Sequence, residues 1–256
     1  MYMLNQVFNM DCLEGMKMIE DKSIDMILCD LPYGTTACKW DEIIPFEPLW
    51  EQYERIIKDN GAILLTASQP FTTKLIASNM KLFRYEWIWK KGNHTTGFPN
   101  ANRMPLKNHE NVLVFYKKLP KYYPQDLIKL EKPIYRKSTS RKLKIFGKRN
   151  NESLNKVHVT KYTNYPKSVI NFPRDSKTFH PTQKPVALFE YLIKTYTKEG
   201  DIVLDNCMGS FTTAIACINT NRNYIGFELD KGYWEKGNER VEKHLQTVNL
   251  TVPNRF

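Results

Sequence analysis

Between Asp201 and Ala216 the chain reads DIVLDNCMGSFTTAIA. A short apolar strand ends at Asp205, a tight segment follows through Asn206, Cys207, Met208, Gly209 and Ser210, and a helix begins near Phe211 or Thr212. Strand, glycine-bearing turn and helix N-terminus in that order make the ligand corner of a nucleotide-type α/β unit. Gly209 permits close backbone approach, and the first helical turn offers unpaired N–H groups to a polar ligand. Further on, YIGFE (224–228) reads as the next strand, with Glu228 at its end placed to accept both hydroxyls of a ribose. The alternative for Glu228 is a plain exposed strand end.

Outward from this corner, short apolar runs predict strands over 5–9, 25–29, 62–67, 84–90, 111–116, 202–204 and 224–227. Helical patterns fall over 12–20, 46–58, 70–79, 185–198, 212–220 and 230–246. Strands alternating with helices imply an α/β domain with a mostly parallel sheet, whose ligands bind beyond the carboxyl ends of the strands.

The 256 residues suit one large domain, or one domain with an inserted subdomain, and 41% hydrophobic residues place the chain among globular proteins. The five cysteines (Cys12, Cys29, Cys38, Cys207 and Cys217) are scattered and form no C-x-x-C pair, which argues against a disulfide framework and against a metal site. Cys29 and Cys217 lie in apolar runs and read as core. The N-terminal residues lack a basic segment followed by an apolar one, and no run of 18 apolar residues occurs, so no membrane association is expected. Reduced thiols fit a cytoplasmic protein.

The net charge of +11 sits in one place. Residues 117–178 carry 17 Lys/Arg against 4 Asp/Glu, a net of +13, which leaves −2 for the rest. The stretch also loses the strand–helix rhythm and interleaves Tyr122, Tyr123, Tyr135, Tyr162 and Tyr165 with its basic residues. That combination suits phosphate contacts with base or sugar packing; a solvated loop without a partner is the other reading.

Asp30-Leu31-Pro32-Tyr33-Gly34 follows the apolar run Asp25 to Cys29, so Asp30 lands at the carboxyl end of a buried strand. Pro32 ends the ladder. An acid, a main-chain carbonyl and an aromatic ring converge there. An aromatic amine is a poor nucleophile because its lone pair is delocalised. Two acceptors that grip its hydrogens, here Asp30 and the Leu31 carbonyl, localise that lone pair, and a ring such as Tyr33 can stack on a flipped base. The carboxylate then stabilises charge arising on nitrogen. Taken alone, the string is also an ordinary Pro-containing turn. HPTQKP (180–185) precedes an apolar helix, which Thr182 or Gln183 could cap, with Pro185 in its first turn.

Taken in order, these pieces resemble the β-class of DNA amino-methyltransferases (N6-adenine and N4-cytosine), along nearly the whole chain. In that family a D-P-P-Y tetrad comes first, then a target-recognition region, an H-P-T-x-K-P segment and a loop of type D-P-F-x-G-S-G-T-T. Here they stand as DLPY at 30–33, the basic stretch, HPTQKP at 180–185 and DNCMGSFTT at 205–213. The resemblance implies a Rossmann-like methyltransferase fold with a mostly parallel seven-stranded sheet, a circularly permuted motif order and an inserted basic DNA-recognition region. It divides the chain into a catalytic half (1–116), the recognition insertion (117–178) and a cofactor-binding half (179–256).

The resemblance further implies S-adenosylmethionine as cofactor, no metal, and double-stranded DNA as partner; the family often dimerises. Asp30, Leu31, Pro32 and Tyr33 would be catalytic. Asp205, Asn206, Gly209 and Ser210 would follow the methionine part of the cofactor, with Thr212 and Thr213 opening the helix. Glu228 would hold the ribose, Asp11 and Cys12 would lie near the adenine, and His180, Thr182 and Lys184 would close over the cofactor. Three departures stand out: Leu31 for the first Pro, which keeps the carbonyl; Asn206-Cys207 for Pro-Phe; and Phe211 for the second Gly, whose side chain should point away from the cofactor. Asp-headed tetrads in the family usually serve adenine, so N6-adenine is the expected target and N4-cytosine the alternative. A protein or RNA methyltransferase is disfavoured by the motif order, and a non-catalytic DNA-binding module is the remaining rival.

Overall fold

The computed structural model describes residues 3–36, 38, 41–137, 157–176 and 178–251. The first half holds β1 (Gln6–Asn9), α1 (Cys12–Lys17), β2 (Ile24–Cys29), α2 (Phe46–Ile56), β3 (Ile57–Ala67), α3 (Phe71–Ser78), β4 (Phe83–Lys90) and β5 (His109–Phe115). Three more strands follow, β6 (Ile128–Lys137), β7 (Val157–Thr163) and β8 (Val169–Asn171). The chain then runs through α4 (Val186–Tyr196), β9 (Ile202–Asp205), α5 (Thr212–Asn219), β10 (Asn223–Glu228) and α6 (Lys231–Thr251).

One sheet has the order β1-β10-β9-β2-β3-β5-β4-β8, in which β5 alone runs against the others. Its centre is apolar without interruption: β2 is buried at all six positions, as a strand covered on both faces must be. Met26, Leu28, Ala62 and Leu64 face the side packed by Leu188, Leu192 and Ala214 of α4 and α5. The alternate residues Ile27, Cys29, Ile63 and Leu65 face Met16, Tyr53 and Leu75 of α1, α2 and α3. Such burial is worth roughly 1.5–3 kcal/mol per large apolar side chain. Cys29 and Cys217 are both in this core. The expected seven strands are present, and β8 adds an eighth at the edge through pairing with β4. No helix among the described residues is long and apolar enough to cross a membrane.

Residues up to Tyr123 and from Ser168 onward form one compact unit, and Pro124–Lys167 forms a second. The second is narrower than the basic stretch 117–178, because the flanks of that stretch are built into the main unit. Lys121 pairs with Asp201 at 2.9 Å, the Tyr123 N–H donates to the Thr195 carbonyl, and Ile88 donates to the Ser168 carbonyl. The sequence shows a loss of the strand–helix rhythm in this stretch, and no strand was read within it. Instead β6 and β7 pair antiparallel as a ribbon, with Tyr135 opposite Val159 and Arg136 opposite His158. Neither strand has a buried face: Ile128, Ile134, Tyr135, Val157, Val159 and Tyr162 are all exposed. Without a core to alternate against, the sequence carries no readable period of two. Residues 138–156 of the stretch lie outside the described residues.

Candidate active site

Every residue assigned from the sequence to catalysis or to the cofactor lines one cavity of about 650 Å³, a size usual for small-molecule sites. It opens at the carboxyl ends of β2, β9 and β10, where an α/β sheet places its ligands.

At the end of β2, Asp30 is held from three directions. Its Oδ1 accepts from the Tyr33 hydroxyl at 2.9 Å and from the Thr66 hydroxyl, while its Oδ2 accepts from Lys184 Nζ at 2.6 Å. The Tyr33 ring stacks on Phe71, with centroids 5.1 Å apart and planes 22° off parallel. Phe71 thus occupies one face of the ring. Leu31 is buried, and Pro32 lines the cavity. The loop beyond is gathered by Asp41, whose carboxylate accepts the N–H groups of Gly34, Thr35 and Thr36 at 2.7–2.9 Å.

On the β9 side, Asp205 accepts from the Cys207 N–H at 3.0 Å and from the Thr213 hydroxyl at 2.5 Å, which fixes the turn between strand and helix. Burial raises its carboxyl to about 6, with the Asp30 charge adding to the rise, although both hydrogen bonds act the other way. Asn206 takes the Tyr53 hydroxyl on its Oδ1 at 2.5 Å. This polar pair anchors the loop from α2 at the position where the family motif has a proline. Gly209 has φ +49, and its N–H donates to Glu228 Oε2 at 2.7 Å. Glu228 also accepts the Asp230 N–H at 2.9 Å, and burial raises its carboxyl. Asp11 caps α1 by accepting from the Leu13 and Glu14 N–H groups, and Cys12 is buried beside it.

Phe211 has φ +61 and is fully buried. As expected, its side chain points away from the cavity, into the core with Val241. A Cβ on Gly237 of α6 would collide with the Phe211 ring, so the helix needs glycine there.

The HPTQKP segment joins the two corners. His180 packs its ring on Tyr233 at 4.3 Å, and the Thr182 hydroxyl lies 3.2 Å from His180 Nδ1. The Lys184 carbonyl accepts from the Thr212 hydroxyl at 3.1 Å, and Arg240 donates to the Ser210 carbonyl at 2.6 Å. Lys184 was grouped with the cofactor-closing residues, yet its side chain crosses to the β2 end and pairs with Asp30. Its ammonium lies over the Tyr33 ring, 5.5 Å from the centroid. Burial disfavours that charge, but Asp30 and Glu110 outweigh it and raise the Lys184 pKa.

Sequence reasoning missed Thr66, Lys91 and Glu110. Glu110 lies 3.4 Å from Lys184 through Oε2 and is ion-paired to Lys91 through Oε1. Burial alone would raise its carboxyl; Lys184 and Lys91 prevail and hold it at about 2. The one signal was an acid at the head of an apolar strand, in HENVLVF. Two buried polar atoms of the cavity wall, Ser68 Oγ and Gln183 Oε1, have no partner among the described residues. Orphaned polar atoms, acidic side chains at two strand ends and a glycine turn before α5 fit a polar, cationic nucleoside such as S-adenosylmethionine.

A DNA methylase family model matches residues 24–239. The chain is 28% identical to the type II methyltransferase M.HpaI of Haemophilus parainfluenzae, over 92% of this chain and 73% of that protein. It is likewise 28% identical to the DNA adenine methyltransferase YhdJ of Escherichia coli K12, over 91% of this chain and 81% of that one. Among solved structures, the cytosine-N4-specific PvuII DNA methyltransferase superposes with a TM-score of 0.66 at 14% identity, covering 95% of this chain and 91% of its own.

Proposed function

This chain belongs to the DNA methylase family that uses S-adenosylmethionine to modify amino groups of DNA bases, and from that premise we propose that it methylates N6 of an adenine flipped out of double-stranded DNA. The observation that carries the reading is Asp30. A carboxylate at the end of β2 faces a cavity that also reaches Gly209 and Glu228. The adenine relative supports this choice of base. The cytosine-N4-specific structural neighbour keeps N4-cytosine as the second reading. Nucleoside mass spectrometry of DNA from cells expressing the protein separates them: N6-methyladenine is expected, and N4-methylcytosine alone would overturn the assignment.

In this reading Asp30 and the Leu31 carbonyl accept the two amino hydrogens and localise the nitrogen lone pair. The face of Tyr33 not taken by Phe71 stacks on the base. When bound, S-adenosylmethionine supplies an electrophilic methyl group. Glu228 would hold its ribose, Asp205 and the Gly209–Ser210 turn its amino-acid end, and Asp11 and Cys12 would stand near its adenine, with His180 and Thr182 closing over it. Asp30 stabilises the positive charge that grows on the target nitrogen, and a nearby carboxylate or solvent takes the surplus proton.

Asp205 makes cofactor binding sensitive to pH. Its folded-state value of about 6 lies above an unfolded value of about 4. The folded chain therefore holds an extra proton between those values, and Asp205 lowers stability as pH rises through that window. A cationic ligand favours the ionised form. Binding near pH 6 should release a proton, and affinity should rise between pH 5 and 7. Calorimetric titration in buffers of different ionisation enthalpy measures that release. No release near pH 6, or a release that persists in Asp205→Asn, would count against it.

The ribbon of β6 and β7 is the candidate DNA-contacting element within the basic stretch, since a two-stranded ribbon fits the major groove. Replacing Lys129, Lys132, Arg136 and Lys137 by serine should weaken DNA binding and lower the slope of log affinity against log salt by about 3.6. An unchanged slope places the phosphate contacts elsewhere.

A further inference from the structure

Two carboxylates and two ammonium groups form one cluster at the Asp30 end of the cavity. Lys184 Nζ is 2.6 Å from Asp30 Oδ2 and 3.4 Å from Glu110 Oε2, and Glu110 Oε1 is held by Lys91. The Lys184 side chain is 6% exposed and that of Glu110 12%. The Lys184 ammonium therefore stands at the carboxylate oxygen that the proposed reaction assigns to the amino group, and close to the ring assigned to the base. It is bound to the one carboxylate oxygen of Asp30 that Tyr33 and Thr66 leave open. It also lies over the Tyr33 ring.

We propose that Glu110 is a positioning residue, the second seat onto which Lys184 moves when the target base enters, uncovering Asp30 Oδ2 and the Tyr33 ring. This rests on the reading of Asp30 as the acceptor for the amino group. The receiving carboxylate is near: Glu110 Oε2 stands 3.4 Å from the ammonium, so a swing of the flexible lysine side chain away from Asp30 seats it there at an ordinary charge-assisted length of about 2.8 Å. It also needs Glu110. A buried ammonium does not leave one carboxylate unless another receives it. Once seated on Glu110, Lys184 no longer competes for Asp30, whose charge is left to the nitrogen that becomes positive during transfer. Lys91 keeps the receiving carboxylate aimed, since it holds the other oxygen of Glu110.

The test uses the full-length protein, labelled S-adenosylmethionine and long unmethylated DNA. Glu110→Gln should lower kcat about 100-fold with the KM for S-adenosylmethionine and its Kd unchanged. Adding Lys184→Gln to that variant should restore kcat by about tenfold, because the stranded ammonium is gone. A purely structural Glu110 predicts the opposite, a further loss in the double variant. Wild-type kcat in Glu110→Gln, or a double variant no faster than the single, overturns the proposal. Should Glu110→Gln fail to bind cofactor, Glu110→Ala takes its place, with the same recovery expected because it too removes the receiving carboxylate. A wild-type protein that transfers no methyl group overturns the function itself and this inference with it; an active wild type with an equally active Glu110→Gln overturns the inference alone.

Discussion

Asp30→Ala should lose methyl transfer by about 1,000-fold or more while S-adenosylmethionine binding stays within about threefold. The acceptor that grips the amino hydrogen and stabilises the charge on nitrogen is removed, and no neighbour replaces it. Thr66 and Tyr33 are donors to Asp30, and Glu110 is turned toward Lys91 and Lys184. The residues assigned to the cofactor, Glu228 and Asp205, keep their own partners on the β9 and β10 side. Lys184 retains Glu110 as a counter-ion, so the variant should remain folded. Asp30→Asn separates charge from shape: it keeps an acceptor oxygen but adds a donor against Lys184, and should be nearly as inactive. Transfer of labelled methyl groups to unmethylated DNA, read beside calorimetric cofactor binding, measures both. Full activity in either variant would remove Asp30 from the chemistry.

Phe211→Ala should destabilise the fold by about 3–5 kcal/mol, the usual cost of emptying a buried aromatic site. The ring is fully buried beside Val241 and fills the space left by Gly237. The backbone supplies a sharper test. At φ +61 an L residue is strained by about 1–2 kcal/mol, whatever its side chain. Alanine keeps that strain and glycine relieves it. Phe211→Gly should therefore be at least as stable as Phe211→Ala, reversing the order that glycine and alanine show in ordinary helix positions. Urea unfolding of the two variants decides the order. Cofactor affinity of the folded fraction should change little, because Phe211 does not line the cavity. An Ala variant more stable than the Gly variant would show that the left-handed backbone is not a constraint.

The parts legible in the sequence were those that lie along one strand and its following loop. Asp30, Asp205 and Glu228 each end a parallel strand, so an apolar run that stops at an acid was enough to find them. Glu110 was not found, because it begins a strand. β5 runs against β3 with Asn111 opposite Ala67, and this register carries the head of β5 to the edge where the parallel strands end. Nothing in the local sequence states that register. Lys184 was placed in its loop from the sequence, but its pairing with Asp30 was not read there. A long side chain can reach either corner, and only the folded contacts of its ammonium with Asp30 and Glu110 show which way it turns. The start of β3 was read five residues late, at 62, for a simpler reason: the strand begins at Ile57, directly after α2, with no turn residue between them.

Gly237 makes no contact with the cavity, yet it bears on how this corner could have arisen. A large ring at position 211 fits only while position 237 carries no side chain. In any lineage leading to this chain, the small residue on α6 had to be present before, or arrive with, the phenylalanine. The same space could as well be filled from the helix side, with glycine returned to the turn. The two positions should therefore vary together: bulk at both would collide, and bulk at neither would leave a cavity.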